Sequence, residues 1–180
     1  DTGLAATLDQ VADFAQVGSV WGTAFQRSRN RMFYSAFTKR HVGFGPEGEG
    51  GIYISDGTSM TNYAITGSFT LQGVTPSNGG PAIDLGTVIR NNIPGDDNYL
   101  ISDKTQPSRD LDAFAKTGRT SYGGADFDEA TQKLFLVNLN QRTIIEVDAS
   151  GTTASLTAST PVQLGALTRS FSIASLPGVP

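Results

Sequence analysis

The chain has no cysteine, little charge and no long hydrophobic run. The absence of cysteine from all 180 residues excludes disulfide bridges, thiol catalysis and cysteine-ligated metals. The net charge is only −4, and no block of basic side chains is present, which argues against a nucleic-acid-binding surface. No apolar run approaches the ~20 residues of a membrane span. His41 is the single histidine, so a metal site built from several histidines is excluded.

Glycine and short segments of β-forming residues are abundant instead. The sequence has 21 glycines, well above the average usage of about 7%. Residues 124–148 predict three consecutive strands, because 133–139 and 143–147 are rich in β-formers at alternating apolar positions. Polar, turn-forming residues separate them at 128–131 and 140–141. Such a meander needs further β structure to cover it.

The same pattern occurs earlier in the chain. Three pairs of residues share a constant spacing of 102 positions: Gly22 with Gly124, Phe25 with Phe127, and Phe33 with Phe135. Further along, residues 52–54 match 145–147 at a spacing of 93, which makes the first copy nine residues longer. A long internal repeat is typical of supersecondary units that stack on one another. It predicts that the four phenylalanines are buried at equivalent places, with Trp21 as a buried anchor.

Residues 20–33 read VWGTAFQRSRNRMF and residues 36–45 read AFTKRHVGFG; in the second copy, AFAKTG at 113–118 is followed by LFLVNLNQR at 134–142. These segments resemble secreted bacterial surface proteins that carry irregular β-propeller repeats. In those proteins the propeller is often joined to serine-aspartate-repeat B-type, immunoglobulin-like modules, and no such module is visible here. The resemblance covers residues 17–148. It implies an extracellular, cell-surface location and a role in adhesion, and it carries over no catalytic residues.

The predicted fold class is therefore all-β and propeller-like, with two four-stranded blades of an incomplete propeller and long irregular insertions. The segment 1–180 divides into a first blade (14–72), an irregular acidic insertion (73–112), a second blade (113–160) and a linker to a next blade (161–180). Residues 62–72 and 152–160 are predicted to supply the outer strands, and 82–90 a short strand within the insertion. Residues 1–16 fit a short helix or an edge strand about equally well.

Two blades do not close a ring, since propellers contain about four to eight. The chain starts at Asp1 without a methionine, which fits a processed product or a fragment. We expect either that the rest of the propeller lies on residues outside this sequence or that further copies of the chain complete it. The first alternative is favoured.

A glycine-rich loop at residues 39–51 is the candidate binding segment, because it contains the additional residues of the first copy. Ligand-contacting side chains concentrate on loops held by rigid strands. The candidate ligand-binding residues are basic or ionisable, aromatic and acidic: Lys39, Arg40, His41, Phe44, Glu47 and Glu49. A long solvated hairpin loop is the competing interpretation, and we favour it. No phosphate-binding glycine loop is indicated, because no Gly-Lys-Ser/Thr follows.

The insertion at 73–112 holds most of the acidic side chains and is the candidate calcium site. Calcium binds six to eight oxygen ligands, and Asp96, Asp97 and Asp103 lie close together in the sequence. The Asp-x-Asp-x-Asp-Gly spacing is absent, so an ordinary solvated acidic loop is favoured over bound calcium. No other cofactor is expected.

The sequence predicts a non-enzymatic, extracellular binding or scaffold module of an adhesin-like surface protein, with a glycan or another cell-surface molecule as its ligand. A structural subunit of an extracellular filament is the first alternative. The second is a propeller-type, carbohydrate-active hydrolase or lyase with paired carboxylates such as Asp126 and Asp128, which face the same side of a strand. Aspartates at strand ends more often cap turns.

Overall fold

Two four-stranded antiparallel sheets make up most of the molecule. The computed structural model describes residues 10–57, 63–100, 107–152, 156, 161–166 and 173–174. The first sheet contains, in order, β1 (Val20–Gln26), β2 (Arg31–Ala36), β3 (Gly51–Gly57) and β4 (Tyr63–Thr70). The second contains β5 (Tyr122–Asp128), β6 (Lys133–Asn138), β7 (Thr143–Asp148) and β8 (Val162–Ala166). A short helix precedes the first strand of each sheet, α1 (Phe14–Val17) and α2 (Leu111–Lys116). The prediction of a β-rich chain with two four-stranded units is confirmed.

The repeat of the sequence is present in the pairing of the strands. All five cross-strand pairs of β1 and β2 recur in β5 and β6 at the spacing of 102; among them are Thr23–Tyr34 with Ala125–Leu136, Ala24–Phe33 with Asp126–Phe135, and Phe25–Met32 with Phe127–Leu134. Both sheets also shift register at the same point, just after Val20 and just after Tyr122. The two hairpins are therefore equivalent residue by residue.

The third strand matches one position away from the prediction. Phe33 pairs with Ile54, and its repeat equivalent Phe135 pairs with Glu146. The spacing there is 92, so the first copy has ten additional residues between β2 and β3, and the predicted values of 93 and nine are wrong. Residues 51–55 are all buried, so β3 has no alternation of apolar and polar side chains that could fix the register from sequence.

The two sheets use opposite faces of the repeat for their contact. Phe33 is 1% exposed and Phe127 is 6% exposed, and their rings stack with centroids 6.0 Å apart. Their repeat equivalents differ, since Phe135 is half-buried and Phe25 is 36% exposed. The prediction that all four phenylalanines are buried at equivalent places is wrong. The two sheets are stacked in the same orientation, so that the front face of one meets the back face of the other. Each sheet therefore presents a different face of the repeat to the contact.

Strands β1 and β5 lie side by side at the centre of that contact. A Cβ atom on Gly22 would lie 2.5 Å from the Ser35 hydroxyl oxygen and 2.7 Å from the carbonyl oxygen of Gly123. Such distances leave no room for a side chain. Gly22 is therefore the residue that allows the two backbones to approach.

Trp21 faces away from the second sheet, and the prediction of a buried anchor is wrong. Its side chain is 54% exposed and its ring lies 5.7 Å from that of Phe37. The reason is strand alternation: Gly22 points towards β5, so the preceding residue points to the opposite face.

The outer strand of the second sheet also differs from the prediction. The strand that pairs with β7 is β8, which lies in the segment predicted to be a linker. Within residues 152–160 the structure describes Thr152 and Leu156, neither of which lies in a strand, and the Leu156 amide donates to the Thr152 carbonyl (3.0 Å). The short strand predicted at 82–90 is absent from that described segment. Its apolar side chains nevertheless pack into the core, since Ile83 and Leu85 are fully buried.

The opposite burial of equivalent residues predicts unequal effects of the same substitution. Phe127→Ala is expected to lower the free energy of unfolding by ~3–5 kcal/mol, as for a large buried aromatic side chain. Phe25→Ala, at the equivalent position, should cost about 1 kcal/mol or less. Urea denaturation of dilute protein measures both values. Equal losses would contradict the assignment of faces.

Candidate functional site

Two long connections lie at one end of the two sheets, which we call the loop end. The antiparallel pairing brings the 37–50 connection between β2 and β3 and the 71–121 connection between β4 and β5 to this end. The opposite end has the short turns between β1 and β2 and between β5 and β6, and the 149–161 connection between β7 and β8. The candidate ligand-binding residues of the 39–51 loop therefore lie at the loop end.

A buried ion pair joins these connections. The Asp110 side chain is fully buried and that of Arg90 is 11% exposed. Arg90 donates from Nε and Nη2 to the two carboxylate oxygens of Asp110, at 2.9 and 3.0 Å. The backbone amide of His41 donates to the same carboxylate at 2.7 Å. Three segments that are distant in sequence are thus held at one point.

Arg90 makes two further contacts to the 39–51 loop. Its Nη2 also donates to the carbonyl oxygen of Lys39 at 2.7 Å, and its guanidinium lies 5.1 Å from the centre of the Phe44 ring. Phe44 in turn packs against the hydrophobic core. Phe44 and Arg90 therefore fix the loop to the sheets.

Arg40 and His41 lie beside residues of the insertion at the protein surface. Arg40 donates from Nε and Nη2 to the carbonyl oxygen of Arg109, at 3.2 and 3.1 Å. Its guanidinium also lies 5.0 Å from the centre of the Phe114 ring, which is 64% exposed. The imidazole Nδ1 of His41 is hydrogen-bonded to the Ser108 hydroxyl. We call this set the Arg40 surface: Arg40, His41, Ser108, Arg109 and Phe114.

The other predicted ligand-binding residues point elsewhere. The Glu47 carboxylate accepts a hydrogen bond from the Ser68 hydroxyl at 2.8 Å, and the Glu49 carboxylate accepts one from the Val88 amide at 2.8 Å. The Lys39 ammonium lies 6.0 Å from the centre of the Trp21 ring. The six residues do not converge on one pocket, and only Arg40 and His41 remain together at the surface. Ligand binding by these two stays a prediction.

The acidic insertion is packed against the sheets. Its main-chain groups at Ala82 and Asp84 are hydrogen-bonded by the side-chain amides of Asn138, Asn140 and Gln141, at 2.9 to 3.1 Å. These contacts fix residues 82–84 of the insertion to the second sheet, whereas residues 92–95 and 97 are exposed. Hydrogen bonds to these amides and the burial of its apolar side chains hold the segment in an irregular conformation.

The described part of the candidate calcium site makes other interactions. Asp96 accepts hydrogen bonds from the Asn98 amide and the Asn91 side chain, both at 2.8 Å, and these bonds, that of the Asn98 amide above all, lower the pKa of its carboxyl. Asp97 is paired with Arg109 at 3.0 Å. Asp103 lies outside the described residues. Within the part of the chain that is described, no three potential metal-ligating side chains lie together.

The geometry gives limited support to acid–base chemistry. A Ser–His–Asp arrangement needs a carboxylate on the imidazole, but the Asp110 carboxylate accepts from the backbone amide of His41. Asp128 caps its turn: the Thr131 hydroxyl and the Ala130 amide donate to it and lower its pKa. A general acid of a glycosidase needs a raised pKa, so turn capping is the better description of Asp128.

Sequence reasoning missed the residues that build this end of the molecule. Asp110 directly precedes α2, a place where aspartate usually caps a helix, but its side chain makes no capping hydrogen bond. Ser108 had no recognisable signal, because its partner His41 is 67 positions away. Arg90 likewise stood in a segment without any periodic pattern.

Comparison with known proteins identifies no family. No protein-family model and no solved structure matches the chain. Colossin-D of Dictyostelium discoideum is 37% identical over 65 residues, a match that covers 36% of this chain and 7% of that protein. The chain thus matches a small part of a much longer relative. None of the helices described here is long and apolar enough to cross a membrane.

Removing the buried carboxylate is expected to destabilise the loop end. Asp110→Ala leaves the Arg90 charge buried without its counter-ion, which should cost ~3–5 kcal/mol in the free energy of unfolding. The double variant Asp110→Leu, Arg90→Met should recover part of the loss, because no uncompensated charge remains. A urea denaturation series measures the cycle. A loss below about 1 kcal/mol in Asp110→Ala would contradict the role of the pair.

A second prediction concerns pH. Burial disfavours ionisation of Asp112, but hydrogen bonds from the Lys116 ammonium (2.8 Å) and the Ile89 amide (2.6 Å) outweigh it, and the pKa of Asp112 is lowered. A folded pKa below the unfolded value of about 3.9 stabilises the protein above that pH, and the contribution disappears as the pH falls through the folded pKa. Asp112→Asn should therefore be less stable than the parent at pH 7 and close to it near pH 2. An unchanged difference across this range would contradict the argument.

Proposed function

We propose that the chain is a propeller-like segment of an extracellular surface protein, and that it serves as a binding or scaffold module without covalent chemistry. A rigid pair of sheets would hold the loop end towards a cell-surface ligand. The sequence resemblance to secreted bacterial surface proteins supports the location and the adhesive role.

The stacking of two equivalent sheets in the same sense is the observation that carries the propeller-like part. In a propeller each blade contacts its neighbour through one face and the next neighbour through the other, with the first strands closest to the axis. Here β1 lies against β5, whereas β4 and β8 form no comparable contact in the described residues. Face-to-face packing of sheets related by a two-fold axis would bury the same face of both repeats, contrary to the burial of Phe33 and Phe127.

The Arg40 surface supports the binding part. It combines two guanidinium groups, an imidazole and an exposed aromatic ring at the end of the molecule where the long loops meet. Arginine donates hydrogen bonds to carboxylates, and an aromatic ring offers a flat apolar face. A ligand carboxylate would compete with the Arg109 carbonyl for Nε and Nη2 of Arg40 and with Asp97 for Arg109. A glycan that carries carboxylates fits both features.

The two alternative functions remain proposals of lower rank. A structural subunit of an extracellular filament is favoured by the half-exposed Trp21 and Phe25 on the outer face of the first sheet. A hydrolase or lyase would use the His41–Ser108 pair or the two strand aspartates, and the hydrogen bonds of Asp110 and Asp128 described above weigh against both.

Binding can be tested on the Arg40 surface directly. The double variant Arg40→Ala, Phe114→Ala is expected to keep its circular dichroism spectrum and to bind acidic glycans or bacterial cells at least tenfold more weakly, about 1.4 kcal/mol. Ile89→Ala is the matched control, since Ile89 is 58% exposed and lies outside the Arg40 surface. Glycan arrays and whole-cell binding provide the measurement. Parent protein that binds neither, or a double variant that binds as the parent does, would overturn the proposal.

A further inference from the structure

The outer faces of the two sheets are the starting point. One face of the first sheet points away from the second sheet and has two large exposed rings. We call it the receiving face; its residues are Trp21, Thr23, Phe25, Met32 and Tyr34. The second sheet turns away from the first a face that we call the docking face. Its half-buried residues are Gly124, Asp126, Asp128, Lys133, Phe135, Ile144 and Glu146. The exposed rings of the receiving face are the kind of apolar surface that marks an interaction site in a soluble protein.

The internal contact between the sheets shows what fits these faces. Each residue of the receiving face is the repeat equivalent, 102 positions earlier, of a residue of β5 or β6 on the buried side of the second sheet. Phe25 is the equivalent of Phe127, which stacks on Phe33. On the docking face, Phe135 is in turn the equivalent of Phe33. The two outer faces therefore carry the same complementary aromatic positions as the two inner ones.

We propose that a second copy of this chain docks its second sheet onto the first sheet of another copy and so repeats the internal contact between molecules. Phe135 of one copy then stacks on Phe25 of the next, in the arrangement of Phe33 and Phe127. Strand β5 of one copy lies against β1 of the next, as β1 lies against β5 within the chain.

The contact between copies differs from the internal one at the glycines. The internal approach of Gly22 to Gly123 becomes an approach of Gly124 to Trp21. Gly124 keeps a glycine at the position of Gly22, and the Trp21 indole is the one large side chain that the contact between copies has to accommodate and the internal contact lacks.

The contact is head-to-tail, because the docking face of one copy meets the receiving face of the next. A row of copies therefore has one unused face at each of its two ends. Such contacts close into rings or continue as filaments. Rings of about four to eight sheets contain about two to four copies. This inference rests on the proposed propeller-like stacking, but its residues are separate from the Arg40 surface, so that self-association and ligand binding can fail independently.

A complementation experiment with two face variants tests the proposal. Phe25→Glu removes the receiving face and leaves the docking face; Phe135→Glu does the reverse. Sedimentation velocity should show parent protein assembling as its concentration rises, and each variant alone remaining at the 19.0 kDa of one chain. An equimolar mixture of the two variants should form a 1:1 dimer, because one intact receiving face and one intact docking face remain. Ile89→Glu is the control and should assemble as the parent does.

Three results would overturn the proposal. Parent protein that stays monomeric at every concentration shows that the faces do not meet. Phe135→Glu that still dimerises alone shows a contact between identical faces, and a mixture that stays monomeric shows that the two faces are not partners. Circular dichroism verifies the folding of each variant, and Phe25→Ser with Phe135→Ser form a milder second pair for the same comparison if a glutamate variant does not fold.

Discussion

The close approach of β1 to β5 is the constraint on which the rest of the structure depends. A Cβ atom added to Gly22 would lie only 2.7 Å from the Gly123 carbonyl oxygen, so the two backbones meet without a side chain between them. The rings of Phe33 and Phe127 stack in the same contact between the sheets. The Tyr122 hydroxyl then reaches across to the Gly50 carbonyl at 3.0 Å, and its burial raises the pKa of Tyr122 well above the ordinary value. Glycine at this point decides the distance between the sheets and hence which side chains can form the core.

Much of the fold could be predicted from the sequence because a repeat is a strong signal. The spacing of 102 holds for every cross-strand pair of β1–β2 and β5–β6, since hairpin register is fixed by turn length and alternation. The match failed at β3, where both faces are buried and alternation disappears. Trp21 failed for a different reason: a large aromatic in a strand was taken to be buried, while its direction depended on the glycine next to it.

The loop end could not be predicted, because its contacts join residues that are far apart in sequence and have no periodicity. Arg90 and Asp110 are 20 positions apart in a connection whose described residues form no regular strand. The six residues of the glycine-rich loop were chosen by chemistry alone. In the structure some of them make contacts that hold the loop, and others belong to the Arg40 surface. The residue types alone do not distinguish the two groups.

The central claim, that equivalent sheets stack through opposite faces, is tested most directly by thiol labelling. The chain has no cysteine, so each single substitution Phe25→Cys, Phe33→Cys, Phe127→Cys and Phe135→Cys introduces one reporter thiol, whose alkylation rate depends on its exposure. In dilute native protein, the thiols at 25 and 135 should react rapidly, and those at 33 and 127 should be protected until the protein unfolds. Protection at 25 and 127 together with rapid labelling at 33 and 135 would mean that both repeats bury the same face, and would contradict the account.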